Sequence, residues 1–600
     1  MKHKVKGFLT SPNFWLLIAV LISMQVLVRA QQFTGTIQGS IQDSTGAVVA
    51  GAEVSVINIS TNETRSLMTN AAGTYLIPQL KPSLYRVTVK KAGFKSATID
   101  QIKLDVQQIR EVNVVLEVGQ ASESVTVTSS GSGAIETSSS TVSQTIENKR
   151  IVDLPLNGRN PFALATMSPG VIPAPGSSPF ISGGRNATSE VTIDGVSNVN
   201  AENNVSILDL NYTPSVDAVQ EFNVQTNAVS AEFGRLGGGV INLVTKSGTS
   251  QYHVTAFEFM RNSVFDANNF FSNRSGVKKG SFKRNQFGGN LGGPVRLPGY
   301  NGQERTFFFF NYEGLRERAA RVTTGTVPLP EWRNGDFSNL RDARGNLIPI
   351  YDPLTTRANP AYNPALPTSA GNTPLIRDQF SYNGRANVIA PNRIDPVARA
   401  LMQYYPLPNT APSNSFTQQN NFIAAGTSPV DSNRIDTRVD HNFNNKWRAF
   451  LRFSWSGDSN QPVNLFQNAA NSTGGGGNGD GPTFTSTKSV SMDHTYTVSP
   501  TLVLDLRLGL NRRYVDRRPL SAGFDLASLG LAPNVVGVAQ QAEFPRIDVQ
   551  NFSSLGQNTF TDLVIAPTTY TFNANATKTL RNHTFKFGMD YRKFMLNFLQ

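Results

Sequence analysis

From about residue 250 onward, apolar and polar positions alternate. Trp447, Ala449, Leu451, Phe453 and Trp455 are interleaved with Arg448, Phe450, Arg452 and Ser454. Every even position from Leu502 to Leu510 is leucine, with Asp505 and Arg507 between them. Phe585, Phe587, Met589 and Tyr591 alternate with Lys586, Gly588, Asp590 and Arg592. A period of two sustained this long predicts strands. Nine are expected, at about 252–261, 284–295, 305–313, 431–443, 446–456, 487–498, 501–513, 568–580 and 583–598. Their connections alternate between long (262–283, 314–430, 457–486, 514–567) and short (Asn444-Asn445, Ser499-Pro500). A soluble sandwich gives no reason for that alternation, whereas outer-membrane barrels pair short periplasmic turns with long extracellular loops. On a barrel the Leu502–Leu510 stripe faces lipid. Arg448, Arg452, Arg507 and Lys586 then face the lumen, because an arginine on the lipid face costs about 2–4 kcal/mol at mid-bilayer.

Residues 33–118 carry a different pattern. Short strands (GTIQGSIQD, AEVSVINIS, TRSLMT, YRVTVKKAGF, REVNVVLEV) are separated by Gly, Pro, Asn and Asp at close spacing, as in a β-sandwich. Asn70-Ala71-Ala72-Gly73-Thr74-Tyr75, Leu80-Lys81-Pro82-Ser83-Leu84-Tyr85 and Gly93-Phe94 resemble the carboxypeptidase-regulatory-like (transthyretin-like) domain, with Ser83 at a position where the pattern has Gly. The resemblance implies a non-catalytic accessory module, either a docking domain or, by its similarity to starch-binding sandwiches, a carbohydrate-binding one.

Between these regions lie TVSQTIENKRIVDLPLNGRNPFALATMSPGV, VTIDGVSN and PSVDAVQEFNVQTNAVSAEFGRLGGGVINLVTKSGT. Val142, Ile146, Ile151 and Leu154 fit a short helix stopped by Pro155. Asp194-Gly195 is expected to be a turn between strands, Val216–Gln220 a helical turn, and Phe222–Gln225 a strand. Gly237, Gly238 and Gly239 precede a Lys-Ser pair, but the P-loop glycines are absent: Thr245 and Val240 occupy their places. The three glycines instead fit a tight turn and a close backbone approach before a strand at Val240–Val244. LPLNGRN and SAEFGRLGGGVINLVTKSG resemble the plug domain of TonB-dependent outer-membrane receptors, especially the Oar-like subgroup. NQFGGNLGGP at 285–294 and the Phe307–Phe310 run with NYEGLRER extend that resemblance into the barrel. Siderophore-type plugs carry an Arg-Gly-Pro where Thr226-Asn227 stands here.

The resemblance implies several further expectations. Glu123, Ser124, Val125, Thr126, Val127 and Thr128 look like a TonB box, the segment an energy-coupling protein pulls. The same six residues also read as a last sandwich strand or a linker. Gly237–Gly239 and Lys246 mark the plug–barrel junction, with 246–249 a hinge. The fold class expected is mainly β: a transthyretin-like sandwich (31–119), a small α/β plug (120–250), then part of an antiparallel transmembrane β-barrel (251–600). Nine strands are an odd number, and a lumen holding a plug needs about 22, so the expectation is a fragment cut within the barrel. An open sheet that pairs with another chain is the alternative.

Composition adds limits. Lys2, Lys4 and Lys6, an apolar run over about 14–28 and Val28-Arg29-Ala30 read as a signal peptide (1–30), with a membrane anchor as the alternative. No other apolar run is long enough for a spanning helix. With no cysteines there is no disulfide or thiolate site. The +12 formal charge is spread over strands and loops, unlike a nucleic-acid footprint. The five histidines are scattered without ligand spacing, so no metal, cofactor or catalytic constellation is expected. Gly474, Gly476 and Gly479 lie in a flexible-loop tract, STGGGGNGDG. The loop at 314–430, with Asp395 capping a short helix that begins at Pro396, is expected to be an extracellular lid or binding mouth. The expected function is uptake of a bulky nutrient, oligosaccharide or peptide, at the outer membrane. Its partners are a TonB-type protein, lipid and an extracellular ligand. A surface carbohydrate-binding or adhesion protein is the rival reading.

Overall fold

The computed structural model describes residues 34–120, 124–128, 139–154, 156, 158–173, 180–184, 188–200, 210–234, 237–274, 276, 278–470, 481–557, 562–580 and 583–599. Residues 1–30, Glu123, Pro155 and the 471–480 tract, on which several expectations fell, lie outside this set.

The N-terminal region is a two-sheet sandwich. One sheet is built on Gly35–Asp43, with Thr74–Leu80, Ile109–Glu111 and Val114–Leu116 as neighbours. The other runs Thr64–Met68, Glu53–Asn58, Ser83–Lys90, Ser96–Leu104, Ser124–Thr128. Alternate residues such as Ile37, Val54, Val56, Val87, Val89 and Leu116 fill the space between the sheets. The Asn70–Thr74 turn is held by Asn70 Oδ1, which accepts from the Ala72 and Thr74 amides at 3.0 Å each, and Gly73 takes φ +69°. The strand at Ser96–Leu104 escaped the periodicity reading because its pairing with Ser83–Lys90 is interrupted by a register shift and Gln101 adopts φ +61°.

The middle region is a mixed five-stranded sheet in the order Val142–Glu147, Val219–Asn227, Val240–Thr245, Glu190–Ile193, Val196–Ser197. The expected helix over 142–154 is corrected: Val142–Glu147 is an edge strand and only Asn148–Asp153 is helical. Each half buries an apolar residue in one core, Ile146 from the strand and Ile151 from the helix, while Val142 stays exposed. Four apolar positions at mixed spacing could not separate the two. Val240–Thr245 is the central strand and is buried along its whole length.

Nine antiparallel strands, neighbours in chain order, make a curved wall: His253–Asn262, Phe282–Pro294, Thr306–Gly325, Phe422–Asn444, Trp447–Asn460, Thr483–Ser499, Leu502–Arg517, Leu563–Leu580 and His583–Leu599. The wall is not closed; its first and last strands are its two edges. Several strands run well past their expected limits. Thr306–Gly325 is 20 residues long rather than nine, and the long connection shortens to 326–421. Alternation of apolar with polar residues marks only the part of a strand whose outer face is apolar. Beyond it the pairing continues with polar residues on both faces, and period two fades.

Leu504, Leu506 and Leu508 point outward, while Asp505 and Arg507 between them are buried inward. Near the short turns Phe443 and Trp447 stack with ring centroids 4.0 Å apart, an aromatic pair of the kind that sits at a membrane interface. At the opposite end the long connections pack on one another. Val327, Tyr405, Leu465, Phe466, Leu529 and Phe544 share an apolar core, so these loops form a folded cap. Within it Asp395 caps the helix Pro396–Met402, accepting from the Val397 amide at 2.8 Å and the Ala398 amide at 3.2 Å, as expected.

Candidate functional site: the middle domain against the strand wall

Strand register dictates what the wall offers inward. One rung of paired residues presents Asn290, Asn311, Asp436, Ser454, Ser489, Asn511 and Thr569. The next rung toward the short turns presents Phe309, Arg438, Arg452, Ser491 and Thr571. The one after that presents Asp440, Phe450, Asp493, Arg507 and Asn573. Arg438 and Arg452 are therefore directly opposite each other on adjacent strands and nearly fully buried. Two like charges so placed repel, and neither can reach water. The wall needs an anion at this point.

The middle domain supplies it. Asp194 enters between the two arginines, with Oδ1 3.1 Å from Arg438 Nη1 and Oδ2 2.9 Å from Arg452 Nε. Its carboxylate also accepts from the Thr245 amide at 3.0 Å and the Thr245 hydroxyl at 2.7 Å. On its outer side Arg438 is held by Asp440, at 3.0 Å from its Nε. Asp194 reaches this position because the Glu190–Ile193/Val196–Ser197 hairpin turns on two residues with positive φ, Asp194 at +48° and Gly195 at +76°. Asp-Gly is the pair that such a turn favours. Gly195 is required twice over, since a Cβ there would lie 2.0 Å from Arg507 Nη1. Arg507 in turn lies 2.9 Å from Asp493 and 3.3 Å from Asp505.

Further contacts ring this centre. Tyr212 donates to Asp436 Oδ1 at 2.8 Å, and Ser454 donates to the same oxygen at 2.7 Å. Ser215 donates to Glu313 at 2.9 Å, Asn511 donates to the Ser197 carbonyl, and Arg592 donates to Glu190 at 2.6 Å. Arg159, from the LPLNGRN string, pairs with Asp217 at 2.9 Å and lies 3.7 Å from the Phe259 ring centroid on the first wall strand. The seam is thus built mostly from polar and ionic contacts. Of the residues expected to face the lumen, Arg448, Arg452 and Arg507 are buried on the inner face, and Lys586 lies on the exposed last strand.

The glycine triplet is placed as follows. None of Gly237, Gly238 and Gly239 has positive φ, so no left-handed turn requires them. Close approach does. A Cβ on Gly239 would sit 2.3 Å from Ile181 Cγ2 and 2.4 Å from the Gln225 carbonyl oxygen; on Gly238, 2.6 Å from the Ser189 hydroxyl; on Gly237, 3.1 Å from Thr188. Lys246 donates its backbone amide to the Ala218 carbonyl at 2.8 Å. Burial pulls its ammonium below the ordinary lysine range, against the opposing pull of Asp217. Ser124–Thr128 is a strand paired in parallel with Ser96–Asp100 at the edge of the sandwich.

From sequence Asp194 stands out only as a turn residue, and Arg438 and Asp440 do not stand out at all. The available signal was the Asp-Gly turn together with lumen arginines that needed counter-ions. Among the described residues no group of three or more metal-ligating side chains comes together.

Residues 244–600 match the family described as an outer membrane beta barrel domain, and residues 36–117 match the carboxypeptidase regulatory-like domain. The first match covers more than half of the chain, and the chain belongs to that outer-membrane barrel family. It is similar to the TonB-dependent transporter Oar of Myxococcus xanthus, 28% identical over 281 residues, which are 44% of this chain and 25% of that protein. Among solved structures it is similar to the outer membrane transporter YddB of Escherichia coli (TM-score 0.43, 12% identity, 74% of this chain and 47% of that one). It is also similar to the ferric enterobactin receptor PfeA of Pseudomonas aeruginosa (TM-score 0.38, 12% identity, 76% and 49%). The chain thus spans about a quarter of the curated relative and about half of these structures.

Proposed function

We propose that this chain belongs to an energy-coupled outer-membrane receptor that takes up a bulky nutrient, an oligosaccharide or peptide, by remodelling its plug. The observation that carries this reading is the Asp194 lock. A domain held in a barrel wall through a few ion pairs and hydrogen bonds can be displaced by a modest pull, whereas an apolar seam of the same size would resist. We assign the sandwich to 31–119, the plug to 120–250 and the barrel to 251–600, after removal of 1–30. Gly237–Gly239 and Lys246 form the junction through which plug motion reaches the first wall strand. The folded cap around 326–421 binds ligand outside the cell, and a TonB-type protein engages Glu123–Thr128 from the periplasm.

The placement of the sandwich weighs against the adhesion reading. It lies at the short-turn end, next to Ser250, Arg448 and Asp440, away from the long loops that would face other cells. Membrane fractionation and growth tests on the full-length protein decide between the two. Outer-membrane location with loss of uptake on deleting the energy-coupling protein is the expected result. Recovery in the soluble periplasmic fraction would sink the proposal.

A further inference from the structure

The N-terminal sandwich does not hang free from the plug. Its Lys81 ammonium donates to Asp440 of the wall at 2.7 Å, and Asp440 is the acid that holds Arg438 of the plug lock. Its Glu63 pairs with Arg448 at 3.1 Å, beside the Asn444–Trp447 turn, and the same arginine donates to the Gln79 carbonyl. Ser60 accepts, through its carbonyl, from the Ser250 amide at 3.0 Å at the start of the barrel. On the plug side, Val106 packs with Val244 and Phe450, and its amide donates to Glu221. Gln107 accepts from Asn242 of the plug's central strand at 2.7 Å. The sandwich therefore touches both the plug and the wall, on the side from which a plug would leave.

We propose that the sandwich is a second closure beneath the plug: a gate latched to the barrel mouth through Lys81–Asp440 and Glu63–Arg448, which must undock before the plug can move. This rests on the transporter reading. Two observations fit a contact made to part. Most of the contacts are polar, and a cleft of about 350 Å³ between the bodies is lined by Lys81, Glu221, Thr245 and Arg438. A third gives the gate a handle. Ser124–Thr128 pairs along five residues with Ser96–Asp100, so a pull on that strand is transmitted first to the sandwich and only afterwards to the plug. Lys81 also links the two events chemically. Its departure leaves Asp440 with Arg438 alone and changes the charge balance around Asp194.

These 600 residues contain no cysteine, so a designed pair reports cleanly once any cysteine elsewhere in the full-length protein is replaced by serine. Full-length protein carrying Ser60→Cys and Ser250→Cys is oxidised in isolated outer membranes, and the disulfide-linked peptide is quantified by mass spectrometry. Most molecules are expected to cross-link. Adding Glu63→Lys and Lys81→Glu, both on the sandwich, should cut the yield at least five-fold; the milder Lys81→Gln should lower it less. Protease resistance of the 34–117 region shows whether these variants still fold. In living cells, deleting the energy-coupling protein should raise the yield of the pair. A low yield with both latches intact overturns docking. A yield indifferent to the folded latch variants overturns the latch, and one indifferent to energy coupling overturns the gate. Absence of the protein from the outer membrane would instead strike the transporter reading on which the gate depends.

Discussion

Asp194 and Arg452 meet at 2.9 Å across the seam between plug and wall, both all but fully buried and 258 residues apart in the chain. Arg438 stands opposite Arg452 in the wall, so this single carboxylate bridges two buried cations, while Asp440 supplies the second negative charge on the outer side of Arg438. Removing one partner of a buried ionic group costs about 3–5 kcal/mol. Asp194→Asn is therefore expected to loosen the plug by an amount of that order while the barrel sheet stays intact. Limited proteolysis of the plug, compared with the heat-modifiability of the barrel on gels, separates the two effects. A plug as protease-resistant as wild type would refute the lock. Asp194→Glu should not restore it, because the longer side chain cannot keep both Thr245 hydrogen bonds and both arginines.

The glycine triplet yields a ranking. A methyl at Gly239 would meet a backbone carbonyl and a branched side chain within 2.4 Å, at Gly238 a rotatable hydroxyl at 2.6 Å, and at Gly237 the Thr188 side chain at 3.1 Å, which need give by only a few tenths of an ångström. Overpacking of this kind costs about 1–3 kcal/mol. Gly239→Ala should lower plug stability most, Gly238→Ala less and Gly237→Ala least, measured by urea unfolding followed with a plug fluorophore. Equal effects at all three would remove close approach as their explanation.

The lipid-facing stripe makes a separate prediction. Leu506 is exposed between the inward-facing Asp505 and Arg507. Leu506→Arg should cost about 2–4 kcal/mol in reversible folding into bilayers if this position lies near mid-membrane. Leu520→Arg, in a long connection, should be nearly neutral. Similar costs at both sites would mean that the stripe does not face lipid.

How far the sequence alone leads depends on the range of the interaction involved. Alternation exposed the wall strands, because a lipid face and a lumen face impose opposite chemistry on neighbours one residue apart. Asp-Gly exposed the plug hairpin, because the backbone itself demands those residues. The lock stayed hidden, since nothing local to Asp194 announces Arg438 and Arg452 some 250 positions later. The sandwich strand at Ser124–Thr128 could equally be a free segment, because its pairing partner, not its composition, decides the matter. Strand ends were underestimated wherever the ladder outran the lipid, as in Thr306–Gly325.

Glu221 links docking to pH. It is buried between plug and sandwich, accepts from the Val106 amide, and has Asp105, Glu147 and Lys103 as its charged neighbours. Burial first, then Asp105, pushes its carboxyl up to about 8 from an ordinary value of 4.5, while the Val106 amide and Lys103 pull the other way. Folded and docked protein thus holds a proton that the exposed group releases. By linkage, stability from this group is fully present below about pH 4.5 and falls as pH rises toward 8, beyond which the loss is complete. Docking should accordingly weaken between pH 6 and pH 8.5, read as falling yield of the Ser60→Cys/Ser250→Cys cross-link formed by a bifunctional maleimide with the reagent's own pH dependence corrected on an unstructured cysteine peptide. Glu221→Gln keeps an acceptor for the Val106 amide and cannot ionise, so it should flatten that profile. A slope unchanged in Glu221→Gln would assign the pH response to another group and remove Glu221 from the docking seam's titration.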